Sequence, residues 1–429
     1  MHFSKFIPIL VGLFFVFSNN NVFANDASIK VLKNEMGDIK AAIQSLQAVI
    51  ENLNLTVESQ NEVIQRQNIR IDSLEDGKIA SSTVASGDIP QLEGKSQGYN
   101  PEIGVVGTVV ANLTESTEDG EGNDTIALKE LEVSYSQYVD PYSRLDAIIA
   151  FNDNLEGQNV DIEEAYYTRW GLPFDFVAQI GKFRSKIGKA NLNHLHQLNT
   201  VNYPLVIQDF FGEEGLSSSG IRIKNIIPNP WDIPLEISAE ILRGNNGDSF
   251  SGISRRPIFT SHASTFFDIN DDVTLEIGTT ALFGDENVRG DAKGDDHYGV
   301  HVFGADATLF WYLPEGRRLK WQNELYFQDR SSAVTPNHDP WGFYSLIDYK
   351  VSPRFSAGIR FDYLEPRGVS EGHQRTTSIS PYLTFYQSEF ANFRLQYSHT
   401  DPADSREKAD DAIFLQANFL IGSHKHPVQ

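Results

Sequence analysis

Hydrophobic and polar residues alternate almost without a break through residues 319–363. In the run LKWQNELYFQDR, Leu319, Trp321, Leu325 and Phe327 take the odd positions, interrupted at Asn323, and Lys320, Gln322, Glu324 and Gln328 take the even ones. After a polar stretch come WGFYSLIDYKV, a break at Ser352-Pro353, and RFSAGIRFDY. There Phe355, Ala357, Ile359, Phe361 and Tyr363 alternate with Arg354, Ser356, Gly358, Arg360 and Asp362. A period of two puts one set on each face of a β-strand. Full charges stand in mid-strand on one face, and aromatics gather at the ends of the other. Strands of roughly ten residues, joined alternately by tight turns and long polar loops, are the pattern of a transmembrane β-barrel.

The same alternation recurs near residues 102–113, 128–139, 143–151, 160–170, 174–183, 220–227, 235–243 and 257–267. A second set lies near 273–283, 298–313, 319–330, 341–351, 354–363, 376–386, 390–400 and 411–422. The total of sixteen is even, as antiparallel closure of a single bacterial chain requires. Connections such as Asp140-Pro141-Tyr142, Gly171-Leu172-Pro173 and Ser352-Pro353 are short, whereas 114–125, 285–296 and 401–410 are long and polar. The short set predicts the periplasmic rim and the long set the outer one. Trp311 and Trp321 flank the turn at Pro314, and Tyr349 and Phe355 the turn at Ser352-Pro353, while Trp341, Phe327 and Tyr363 fall at the opposite strand ends. Two aromatic bands are what a membrane interface selects.

Before residue 100 the pattern changes. Residues 1–24 read as a secretory signal, with Lys5 in the n-region, an apolar core over 6–17 and Val22-Phe23-Ala24 before the cleavage point. From 29 to 74, Ile29, Met36, Ile43, Ile50, Val57, Ile64 and Ile71 stand seven apart. Leu32, Ile39, Leu46, Leu53, Gln60, Gln67 and Leu74 fill the d positions between them. This heptad frame predicts an α-helical coiled coil over 25–76, a rod of roughly 70 Å in the periplasm whose narrow seam needs partner helices. Ile at a with Leu at d leans towards two strands. Residues 77–99, rich in Gly and Ser, read as a linker, with the barrel domain spanning 100–429.

Composition sharpens this. The chain of 429 residues has no cysteine, which excludes disulfides and thiolate sites, and its net charge of −23 argues against nucleic acid as a partner. Beyond the first thirty residues no apolar run could span a bilayer as a helix. No HExxH, GxSxG or phosphate-loop motif is present. Ser217, Ser218 and Ser219 share a segment with His194 and Asp209, a coincidence of residue types too common to indicate a hydrolase.

Function in such a barrel resides on its inner wall. Alternation places Arg144, Arg222, Lys224, Lys320, Lys350, Arg354, Arg360 and Arg394 inward. Glu130, Glu132, Asp146, Glu236, Glu240, Glu276, Asp306, Glu324, Asp348 and Asp362 face them. This near balance predicts a wet lumen of weak ion selectivity. The connection at 184–220 is too long and too apolar to lie in solvent, and predicts a loop folded into the barrel as a constriction. Arg184, Lys186 and Lys189 mark one end of it, and Asp209, Glu213 and Glu214 the other. His194 and His196, with Glu213 or Glu214 returning to them, are candidate ligands for zinc or a similar divalent ion.

The signal, heptads, sixteen strands and long loop together resemble the phosphate-selective porin O and P family. GKFRSKIGKANLNHLHQLNTVNYPLVIQDFFGEEGL and NFLIGSHKHPVQ are similar to a group of outer-membrane proteins labelled zinc-regulated or TonB-dependent-like. The resemblance implies a homotrimeric outer-membrane channel with a periplasmic coiled coil, surrounded by lipid and lipopolysaccharide; peptidoglycan is a candidate partner of the rod. Those phosphate porins line the pore with arginine and lysine ladders. The balanced lumen here lacks that excess, so phosphate selectivity is not carried over. No plug domain precedes the barrel, and roughly 330 residues cannot supply the 22 strands of a TonB-dependent transporter. Two further readings are a zinc-linked uptake channel and a tether of outer membrane to cell wall, which needs no open lumen.

Overall fold

The structure, a computed structural model, describes residues 101–422 apart from 116–123, 155–156, 231–232, 246–247, 288–296, 331–338, 368–374 and 403–408. The expected signal, coiled coil and linker lie outside the described residues, as do His424 and His426.

Sixteen antiparallel strands close into one barrel. They are β1 (Glu102–Thr114), β2 (Thr125–Asp140), β3 (Ser143–Asn154), β4 (Gly157–Arg169), β5 (Val177–Arg184), β6 (Ser217–Ile227), β7 (Leu235–Leu242) and β8 (Ile258–Asn270). Then follow β9 (Val273–Asn287), β10 (His297–Leu313), β11 (Arg317–Arg330), β12 (Trp341–Ser352), β13 (Phe355–Glu365), β14 (Thr376–Ser388), β15 (Ala391–Asp401) and β16 (Asp410–Gly422). Every alternating run of the sequence falls on one of these strands. β1 pairs with β16 from Gly104↔Gly422 to Thr114↔Ala412, so no edge is left to seek a partner. Arg354 differs from expectation. It precedes β13 in the tight turn, where it is exposed and its N–H donates to Ser352 Oγ at 3.3 Å, so it does not line the lumen.

Outward positions carry Ile180, Ile221, Ile223, Leu325, Ile347, Ile359, Leu383, Leu395 and Leu415, all exposed. A continuous apolar belt of this kind is stable only against hydrocarbon. Near the short-turn rim, Phe355, Phe385, Phe393 and Phe419 form a chain of rings across β13 to β16, with centroids 5.1, 6.4 and 6.0 Å apart. Near the other rim Trp341 lies 4.8 Å from Tyr363 and 6.2 Å from Phe343. These are the two aromatic bands the sequence predicts.

Away from the tight turns, two β-bulges interrupt the alternation of the described strands. Thr108 pairs with Glu130 and Val109 with Leu128, leaving Lys129 as an extra residue in β2. Ile148 pairs with Glu164 and Ile149 with Ile162, leaving Glu163 extra in β4. A bulge re-aims side chains. Here it turns two successive glutamates, Glu163 and Glu164, away from the membrane, which explains the weak alternation of DIEEAYYTRW.

Candidate functional site at the inward loop

Arg184, the last residue of β5, is paired with Ser217, the first of β6, and the chain between them folds into the barrel. It makes short 3-10 turns at Ala190–Leu192 and Leu195–Gln197 and one helix, α1 (Leu205–Phe211). Pro204 opens α1, its carbonyl accepting from Ile207 and Gln208 N–H at 3.0 and 3.1 Å, and Gly212 at φ 100° ends it. Val206, Ile207, Phe210 and Phe211 are fully buried, seated on inward apolar residues of the wall that include Tyr326, Tyr344, Leu346 and Leu364. Each such burial contributes about 2 kcal/mol. Asn191 staples the neck: its amide donates to Ser185 O at 2.7 Å and Leu216 O at 3.1 Å, and its Oδ1 accepts from Leu216 N–H at 2.7 Å.

An irregular segment inside a barrel must satisfy its backbone groups without a ladder. Inward charges of the wall do this. Glu324 accepts from Lys189 N–H at 3.1 Å, Ala190 N–H at 2.7 Å and Tyr326 Oη at 2.8 Å, and also from Tyr344 Oη. Glu240 takes Arg222 Nε at 2.6 Å, Ser185 Oγ at 2.5 Å, Lys186 N–H at 2.9 Å and Thr260 Oγ1 at 2.7 Å. Arg360 donates to Asp362 at 2.7 Å and Asn202 O at 2.6 Å, while Asp362 accepts from Leu205 N–H at 3.0 Å. Arg394 reaches Thr200 O at 3.2 Å and Gln416 at 2.6 Å, and Lys320 Nζ reaches Asn199 at 2.9 Å. Arg144 instead binds Asp146 at 2.9 Å and Glu102 at 2.8 Å near the short-turn rim. Several charges that alternation places inward therefore hold the loop rather than face open water.

The loop's two lysines pair with the wall. Lys186 meets Glu236, and Lys189 Nζ lies 2.5 Å from Glu276. The Arg184 guanidinium donates to the Glu214 carbonyl at 2.5 Å, joining the two ends of the loop. Asp209 accepts from Arg367 N–H at 3.2 Å; burial raises its pKa although the Arg367 cation opposes this. Glu213 and Glu214 are exposed at the loop's exit.

His194 and His196 stack with ring centroids 6.0 Å apart. Their carboxylate partners come from the wall and not from Glu213 or Glu214. His194 Nδ1 lies 2.6 Å from Glu163 and 3.7 Å from Glu132, and its Nε2 lies 3.8 Å from Glu164. His196 Nδ1 lies 2.9 Å from Glu132. Glu132, Glu163 and Glu164 surround the buried His194 ring with carboxylates. Asp209 at Arg367 and His194 at Glu163 are thus engaged separately, and no Ser-His-Asp relay forms from them.

Sequence reasoning missed Glu163 and Glu164, because a bulge breaks the period that would have flagged them; the adjacent pair EE in a membrane strand was the available signal. It also missed a second inward connection. Phe250 and Ile253, between β7 and β8, are buried, and Ser249 N–H donates to Phe210 O at 3.0 Å. Two apolar residues in an otherwise polar loop were the only sign of it.

A closed sixteen-strand barrel with a charged inner wall and an infolded loop has the fold of the bacterial porins. The chain is similar in fold to an anion-selective porin from Comamonas acidovorans (7% identity, TM-score 0.52, covering 75% of this chain and 100% of that one). OprB of Pseudomonas putida gives 13% identity and TM-score 0.51 over 76% of this chain and 94% of that one. The DcaP channel of Acinetobacter baumannii gives 12% and 0.50 over 75% and 96%. In sequence, the chain belongs to the same family as an uncharacterized protein of Aquifex aeolicus, 30% identical over 67% of each chain. No family model matches.

Proposed function

We propose that the chain is an outer-membrane porin, a narrow water-filled channel passing small hydrophilic solutes or ions with weak ion selectivity. One observation carries the reading. Inside a closed barrel, the Lys186–Glu236 and Lys189–Glu276 pairs keep side-chain exposures of 18% and 29%, and 31% and 21%, so water reaches charges of both signs beside the loop. A wall closed by salt bridges alone would leave such groups dry. Elsewhere on the wall Gln328, Gln396 and Gln416 are fully buried, Gln396 against the loop at Val201 and Asn202, which supports a narrow passage. The porin fold supports an outer-membrane address, with lipid and lipopolysaccharide around the belt. The heptads of residues 29–74 support association of several chains through a periplasmic rod, and the resemblance to the O and P porins sets the number at three.

Purified protein reconstituted in a planar bilayer tests this. Stepwise conductance with a reversal potential near zero in a salt gradient is expected. Folded protein that inserts without conducting would instead favour the barrel as an anchor for a tether.

A further inference from the structure

Six side chains that the channel does not require meet near mid-height of the barrel. Glu130 and Glu132 come from β2, Glu163 and Glu164 from β4, and His194 and His196 from the inward loop. Both bulges lie beside this cluster, at Lys129 and at Glu163. Glu132, Glu163 and His194 each offer a ligand atom within 4.8 Å of the others, and so do Glu130, Glu132 and His196. Glu132 belongs to both sets.

One observation points to a cation. Glu130 is 4% exposed and Glu132 1%, yet Oε2 of each receives no N–H or hydroxyl donor among the described residues, and Glu130 instead faces the carboxyls of Glu132 and Glu163. A buried carboxylate oxygen left bare costs free energy that a bound cation removes. Charge is compatible with this: four carboxylates converge here, facing the two imidazoles and the Arg184 cation.

The donor set selects the ion. Imidazole nitrogen with carboxylate oxygen suits zinc and its first-row neighbours, whereas oxygen alone would suit calcium or magnesium. Bonds of roughly 2.1 Å in a tetrahedron separate ligand atoms by about 3.4 Å. His194 Nδ1 and Glu132 Oε1 stand 3.7 Å apart, close to that span. The 2.6 Å pair of His194 with Glu163 is at hydrogen-bond length, and a cation replacing the shared proton would spread it by less than about 1 Å.

We propose that Glu132, Glu163 and His194 bind one divalent transition-metal ion of zinc type, flanked by Glu130 and His196, and that this ion clasps the inward loop to β2 and β4.

Binding can be measured without current, so the claim stands or falls separately from the channel reading. Full-length protein in detergent, stripped with EDTA, is titrated with Zn²⁺ against a chromophoric chelator, and with Co²⁺ by visible absorption. A H424A/H426A background removes the carboxy-terminal histidines as competing ligands. One site per chain is expected, with Co²⁺ absorption showing nitrogen ligation. E132Q/E163Q, which keeps side-chain volume, should weaken Zn²⁺ by at least ~100-fold, a first ligand being worth no less than an outer-shell partner. Heat-modifiable gel migration reports its folding, and H194Q serves as the second variant if the double one misfolds. Bound metal should also shield the loop from protease, and EDTA should remove that protection. Unchanged Zn²⁺ affinity in a folded variant overturns the proposal. So does a Co²⁺ spectrum without nitrogen ligation, or no binding to the parent protein above a detergent blank.

Discussion

At the scale of single residues, the inner wall works as a set of fasteners. Glu324 is 1% exposed and collects the N–H groups of Lys189 and Ala190 together with the Tyr326 hydroxyl. Glu324→Ala should cost the docked loop about 3 kcal/mol, because a charged acceptor is removed and four donors, two of them backbone N–H groups of the loop, lose it. The loop should then be cut by protease in intact detergent-solubilised protein, while the barrel keeps its heat-modifiable migration; resistance equal to that of the parent would refute the role. Gly188 gives an independent check. At φ 54° its missing Cβ leaves room for the Glu324 carboxylate and Tyr326 hydroxyl, which a Cβ would overlap. Gly188→Ala should loosen the same neck by about 1–3 kcal/mol, read out by the same proteolysis. Alternation told which way Glu324, Arg360 and Asp362 point. It could not tell whether they meet water or loop backbone, since their partners lie 134, 158 and 157 residues away.

At the scale of elements, strands were legible and the loop only in outline. Period two survives wherever a strand has lipid on one side and a polar interior on the other. It fades in β4, where the Glu163 bulge shifts the phase. The apolar residues of 184–220 announced an infolded segment, but α1 did not show itself, because seven residues span too few turns to establish a period. Since Arg184 pairs with Ser217, the loop can be excised and the strands rejoined by a short turn. Replacing residues 186–215 with a Gly-Ser turn should leave the barrel closed and raise single-channel conductance severalfold. Conductance equal to that of the parent would mean the loop does not set the bore.

At the scale of the whole molecule, what holds the barrel together differs from what the heptads are for. Barrel closure from β1 to β16 satisfies strand hydrogen bonds within residues 102–422, so the ladder itself is complete without the residues before it. The heptad seam of 29–74, apolar at all a and most d positions, predicts a coiled coil that needs partner helices, and in the proposed assembly other copies of the chain supply them. Deleting residues 29–74 should therefore leave a heat-modifiable, bilayer-inserting barrel of unchanged unit conductance. Assembly is what should suffer: the parent should sediment as a trimer and the deletion variant as smaller species, and conductance steps in groups of three should give way to single steps. Two results would break this division of labour. A deletion variant that cannot fold would make the rod part of barrel formation, and one that remains fully trimeric would move the subunit contacts onto the outer wall, where the groove lined by Ile221, Ile223, Ile241, Phe259 and Phe283 would be the first place to look.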